Sequence, residues 1–167
     1  MKTQNARALS KQITALGSTK HLTVSGAESC TGGLIAKFLT DIPGSSAVFC
    51  GACVTYTNEI KMNVLGVDSE IIAKHTEVSY ACAEAMAKGA RRTFQTDVAY
   101  STTGYAGPGG GTEKDPVGTV YIGISTKTET VSYRLSLPRD ATRTAIRNAA
   151  STFVLEKIKD LFETQSE

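Results

Sequence analysis

Three short segments carry residue types that can act together on a carbonyl carbon. Glu28-Ser29-Cys30-Thr31-Gly32-Gly33 places a serine hydroxyl just ahead of a glycine pair and an apolar helical stretch. A serine at such a strand-to-helix junction lies beside unpaired N–H groups with partial positive charge, which suits nucleophilic work. The same residues serve equally as a helix cap, with the glycines permitting the turn. Thr55-Tyr56-Thr57-Asn58-Glu59-Ile60-Lys61 adds a phenol and an amine. A serine hydroxyl is a poor nucleophile until a base takes its proton, and a partly desolvated lysine can be that base. Taken alone, the spacing also fits a half-buried strand tyrosine and a solvated helix lysine. The third segment runs from Thr103 and Gly104 through Tyr105, Ala106 and Gly107 to Thr112 and is rich in glycine. Backbone N–H groups in such a loop can converge on an oxyanion or a phosphate. It is neither a Walker sequence nor a dinucleotide fingerprint, and a plain linker is the competing reading.

Two weaker signals accompany these. Arg139, Arg143 and Arg147 are spaced four apart near the start of the last helical pattern. On a helix they share one face, and a guanidinium fork suits phosphate or carboxylate. Gly44-Ser45-Ser46 adds hydroxyls expected near the same end of the sheet. Either Ser45 or Ser46 is therefore an alternative nucleophile to Ser29. Cys50-Gly51-Ala52-Cys53 spells a CxxC but falls within a strand-like run instead of opening a helix. Buried thiols are the simpler reading, and no metal site is expected.

The elements that must position these residues follow from periodicity and punctuation. Apolar residues at helical spacing over residues 5–16 end at Gly17, a usual stop signal. Residues 22–27 read as a strand, 34–39 as a helix and 47–57 as a second strand. Short helices follow from Asn58 and from Ser69, and a longer one occupies residues 79–93 with Ser79 as its cap. Residues 97–103 form a third strand, 117–124 and 129–135 a hairpin, and 141–162 a long closing helix. This alternation predicts a three-layer α/β/α sandwich with a mixed sheet, as a single domain over residues 1–167 with a frayed tail. The small-residue face of residues 79–93 suits packing against a copy of itself, which makes a homo-oligomer the expectation.

Composition narrows the function classes. Eighteen basic against 16 acidic residues give a net charge of +2, so no nucleic-acid partner is implied and any phosphate binding is local. No stretch reaches the roughly 20 apolar residues that span a bilayer, and the first ten residues lack the apolar core of a secretory signal. A soluble cytoplasmic protein with reduced cysteines is expected.

Together and in this order, ESCTGG, PGSS, TYTNEIK, the TGYAGPGGGT loop, PVGTV and the final arginine helix resemble the CinA C-terminal domain family, in its stand-alone form. The match covers about residues 24–155. The resemblance implies an amidohydrolase that converts nicotinamide mononucleotide to nicotinic acid mononucleotide and ammonia in pyridine-nucleotide salvage, without metal or other cofactor. It makes Ser29 the nucleophile, Lys61 the general base and Tyr56 an aid to proton transfer. Oxyanion donors are then expected from Thr31, Gly32 and Gly33 or from the loop through Thr103, Gly104 and Gly107. Arg143 and Arg147 would hold the ribose phosphate, and Ser45 and Ser46 the ring or the phosphate. The chain departs from the family pattern at Tyr105, usually aliphatic, at Gly109, usually acidic, and in the longer lead-in before Arg143. Those departures leave a second reading open, a paralogue of low activity that binds a nucleotide or phosphate.

Overall fold

The computed structural model describes residues 5–164. The expected fraying of the tail falls, from residue 165 on, outside the described residues. The chain forms α1 (Ala6–Lys20), β1 (Val24–Glu28), α2 (Leu34–Thr40), a 3-10 turn (Ser45–Ala47), β2 (Phe49–Val54), α3 (Asn58–Leu65) and α4 (Ser69–His75). It continues through α5 (Tyr80–Phe94), β3 (Val98–Gly104), β4 (Thr119–Ser125), β5 (Thr130–Ser136) and α6 (Arg143–Thr164). The five strands lie in the order β2-β1-β3-β4-β5. β1 is parallel to both β2 and β3, while β3, β4 and β5 run antiparallel to one another in turn. The sheet is therefore mixed, as the sequence predicts.

Every residue of β1 and β4 is buried, and six of the seven in β3. Near-continuous burial is what a strand covered on both faces requires. One face is covered by α1, α2 and α6, whose Leu9, Ile13, Leu39, Ile146, Val154 and Ile158 meet Val24, Val98 and Ile122. The other carries α5, with α3 and α4 beside it, around Leu65, Cys82, Met86 and Ala90. Helix ends obey local chemistry: Asn5, Thr57, Asp68 and Ser79 each accept a backbone N–H with the side chain.

Three local expectations change. Gly17 does not stop α1, which runs to Lys20 and ends at His21 in the left-handed conformation. The glycine is there because a Cβ would stand 2.5 Å from Val48 Cγ1, so α1 could not pack this closely against the residue that leads into β2. β2 is shorter than residues 47–57, because a 3-10 turn precedes it and the register slips between Val24 and Ser25, leaving Cys50 bulged on the edge strand. Arg139 lies ahead of α6 rather than on it, so the arginine row on the helix is Arg143 and Arg147. Of the small-residue face of α5, Met86 and Ala90 are buried in the core, while Ala81 and Ala85 are half-buried at its edge. Exposed large apolar side chains lie instead at Val54, Tyr56, Ile60, Val64 and Tyr80. No helix among the described residues is long and apolar enough to cross a membrane.

Candidate active site

Ser29 follows the last residue of β1, the strand flanked by both other parallel strands. Its N–H donates to the Thr102 carbonyl at 2.9 Å, and the Thr55 N–H donates to the Glu28 carbonyl at 2.8 Å. These two bonds extend the β3 and β2 ladders past the strand end and pin the backbone on both sides of Ser29. The hydroxyl thus opens at the carboxyl ends of three parallel strands, where open α/β sheets collect ligands.

What holds the loop after Ser29 is Glu28, a fully buried carboxylate. Its oxygens accept the N–H groups of Gly33 at 2.8 Å, Ile35 at 3.3 Å and Ala36 at 2.9 Å, and the Tyr100 hydroxyl at 3.0 Å. The start of α2 is therefore already neutralised by the protein's own anion. The Gly33 N–H is engaged there, and the Gly32 N–H donates to the Ser29 carbonyl at 3.1 Å. Thr31 is tied as well: its hydroxyl pairs with that of Thr102 at 2.7 Å, and its carbonyl receives Arg147. The sequence did contain a sign of Glu28, an acid ending a strand of small uncharged residues a few positions before Gly32-Gly33.

Lys61 enters from α3, whose first turn is capped by the Thr57 hydroxyl. The side chain is 1% exposed, and Nζ lies 3.2 Å from Ser29 Oγ and donates to the Thr55 carbonyl at 2.9 Å. Burial pushes the amine below the ordinary lysine value, while Cys82, Glu77 and Cys30 oppose that shift. Burial also holds the Cys30 thiol at about 12 and that of Cys82 at about 11, so near neutral pH both thiols are uncharged and Glu77 is the anion acting on Lys61.

A cavity of about 370 Å³ opens over this pair, lined among others by Tyr56, Glu77, Gly104, Tyr105 and Arg143. Arg143 donates from Nη2 to the Tyr56 hydroxyl at 2.9 Å and from Nη1 to the Gly107 carbonyl at 2.8 Å, which links α6 to the β2–α3 and glycine-rich loops. Arg147 faces the Thr31 carbonyl instead, at 2.6 Å from Nη2 and 3.3 Å from Nε. The Thr103 hydroxyl is buried and donates to the Glu77 carbonyl at 2.6 Å. Ser45 and Ser46 sit in the 3-10 turn before β2, and Val48 next to it pairs with Val24 at the start of β1. That is the opposite end of the sheet from Ser29, which corrects the expectation that all three serines share one end. Cys30, Thr57 and Asn58 also line the cavity from within the two serine and lysine segments, whereas Glu77 and Val78 line it from a stretch that no motif announced.

A buried amine within hydrogen-bonding reach of a serine hydroxyl is the arrangement by which an amine activates an alcohol. Residues 6–162 match the model of the CinA C-terminal domain. The chain belongs to that family. It is 48% identical over 136 residues to a CinA-like protein of Shewanella denitrificans, covering 81% of this chain and 32% of the relative. It is 45% identical over 154 residues to a putative competence-damage inducible protein of Caldicellulosiruptor bescii, covering 91% of this chain and 38% of that one. The chain thus spans about a third of the length of the curated relatives it matches. Among solved structures, the competence/damage inducible protein CihA of Agrobacterium tumefaciens superposes with a TM-score of 0.91 at 38% identity, over 95% of this chain and 96% of the other. The competence damage-inducible protein A of Klebsiella pneumoniae gives 0.92 at 28% identity, over 98% and 100%. For the CinA domain, this agreement places the mixed sheet and its two helical layers on the same plan as solved members.

Proposed function

We propose that this CinA domain hydrolyses the carboxamide of nicotinamide mononucleotide, giving nicotinic acid mononucleotide and ammonia. The observation that carries the reading is the 3.2 Å separation of Lys61 Nζ from Ser29 Oγ in a buried setting that favours the neutral amine. Ser29 Oγ attacks the carboxamide carbon while its proton passes to Lys61. The tetrahedral intermediate then collapses, the C–N bond breaks, and Lys61 returns the proton to the departing ammonia. Water attacks the resulting ester as Lys61 takes a proton from it, and the C–O bond to Ser29 breaks as Lys61 returns that proton to Ser29 Oγ, restoring the hydroxyl and the neutral amine and releasing the acid, which ionises to the carboxylate. Tyr56, held by Arg143, presents its hydroxyl at the mouth of the cavity to assist these transfers. Arg143 is the cation placed to meet the ribose phosphate, since it lines the cavity and Arg147 faces the Thr31 carbonyl.

The oxyanion needs donors other than Gly32 and Gly33, whose N–H groups are engaged within the protein. Backbone of the loop from Gly104, which lines the cavity, is the better source. Ammonia release from nicotinamide mononucleotide, measured for the wild type and for Ser29→Ala and Lys61→Ala, tests the reading. Release by the wild type and its loss in both variants is expected. A well-folded wild type that releases none ends it, and binding by calorimetry would then favour a nucleotide-binding module.

A further inference from the structure

Among the described residues, Glu77 is the one carboxylate lining the candidate cavity, and strained backbone delivers it there. Thr76, just before it, has φ 67° and ψ 168°, a region populated almost only by glycine and one that a β-branched residue avoids for steric reasons. The surroundings over-determine this turn. The Thr76 N–H donates to the Ile72 carbonyl at 2.9 Å, and Ser79 Oγ donates to the Thr76 carbonyl at 3.0 Å. Thr76 Oγ1 donates to the Val78 carbonyl at 3.2 Å, while Thr103 Oγ1 holds the Glu77 carbonyl from β3. The chain leaves α4 through a disfavoured conformation and brings an acidic side chain to the cavity wall.

Among the described residues, the Glu77 carboxylate accepts no hydrogen bond and joins no ion pair within 4.0 Å. It is near enough to Lys61 and Tyr105 to help both hold their protons. A carboxylate that no protein cation contacts directly, beside an aromatic ring in the same cavity, suits a planar organic cation: charge attraction acts from one side and the ring quadrupole from another. A neutral pyridine gains neither.

We propose that Glu77, with the ring of Tyr105, recognises the positive charge of an N-substituted pyridinium, making the cavity selective for cationic pyridinium carboxamides over neutral pyridine or dihydropyridine ones. The choice of carboxamide rests on the amidase reading above; the charge selectivity rests on Glu77 itself. Glu77 is then a specificity residue, and the strain at Thr76 serves to aim it.

Calorimetry on the Ser29→Ala chain, with nicotinamide mononucleotide and its 1,4-dihydro form as probes, measures the selectivity without turnover. The two ligands share ribose, phosphate and carboxamide and differ in ring charge. A preference for the cation of about tenfold or more is expected, since one charge pair at short range is worth about that much. Glu77→Gln should reduce the preference to about twofold or less, while Glu77→Asp, which keeps the charge, should retain most of it. An unchanged preference in a Glu77→Gln chain with native melting behaviour overturns the proposal, as does a wild-type site without preference. If Glu77 were only a counter-ion to Lys61, among Ser29, Thr55, Cys30 and Cys82, Glu77→Gln would move the acid limb of the turnover profile to lower pH and leave the binding ratio alone. That result also overturns it. Ammonia release by the wild type without charge preference would leave the amidase standing and remove this inference. Charge preference without ammonia release would do the reverse.

Discussion

Arg147 Nη2 lies 2.6 Å from the carbonyl oxygen of Thr31, tying the first turns of α6 to the loop that carries Ser29. Arg143, one turn earlier on the same helix, lines the cavity and spans Tyr56 and Gly107. The two arginines should therefore fail differently. Arg143→Ala is expected to raise KM about tenfold or more with a smaller change in kcat, as loss of a charged contact to substrate does. Arg147→Ala should lower the unfolding free energy by about 1–3 kcal/mol through the lost charged hydrogen bond. It should lower kcat as well, because the serine loop loosens. Steady-state kinetics beside urea unfolding of both variants separate the roles, and an Arg147→Ala chain of native stability with only KM raised would reverse them.

Lys61 is expected to trade stability for activity. Lys61→Met removes the base and should cut turnover by about 10² to 10⁴. In the wild type the neutral amine is the active form, so kcat/KM should rise with pH to an acid limb lying below the ordinary lysine value of 10.5. Between the lowered folded value and 10.5 the unfolded chain binds the additional proton, so unfolding free energy rises with pH across that window. Lys61→Met lacks this dependence, and melting temperatures of both chains from pH 7 to 10 should converge as pH rises. A wild-type profile with its limb at the free-lysine value would count against a desolvated base.

The Glu28 clamp should be intolerant of neutral replacement. Glu28→Gln puts an amide where the carboxylate accepts three N–H groups and a hydroxyl, leaving buried donors opposed. A loss of about 3–5 kcal/mol is expected, typical of breaking a buried charged network. Gly26→Ala attacks the same network from the sheet, since its Cβ would stand 2.1 Å from Tyr100 Cζ. Tyr100 is fully buried, so the ring must leave its place and the hydroxyl its bond to Glu28. Denaturant unfolding should show Gly26→Ala less stable by about 1–3 kcal/mol, the usual range for overpacking. Equal stability of Gly26→Ala and wild type would show that the ring yields freely.

The thiols should differ in reactivity as their burial differs. Cys50 is exposed on the bulge of β2, whereas Cys30 and Cys82 are buried with thiols raised to about 12 and about 11. The thiolate is the reactive form, so brief iodoacetamide treatment of the native chain at pH 8 should modify Cys50 first and spare Cys30 and Cys82. Peptide mass spectrometry reads the order directly. Early labelling of Cys30 would show that the serine loop opens on the timescale of the reaction.

Local pattern was enough to place the three chemical segments at strand ends, because short strand-forming runs and the turns or helix starts that end them are written within a few residues of each motif. Ser29, Thr55 and Tyr105 each follow the end of a strand, and the parallel pairing of β1 with β2 and β3 brings those ends together. The sequence likewise determined the layers, since helical periodicity over α1, α5 and α6 leaves one face of each to cover the sheet. Only the tertiary structure decided which polar groups meet. Lys61 and Ser29 are 32 residues apart, Tyr100 and Glu28 are 72 apart, and Arg147 and Thr31 are 116 apart. No short-range preference encodes such pairs. The same holds for Gly17 inside α1, Ser45 and Ser46 at the far end of the sheet, and Thr76 in a conformation its residue type disfavours. Each was set by packing and distant hydrogen bonds that outweigh local propensity, and the aim of Glu77 follows from them.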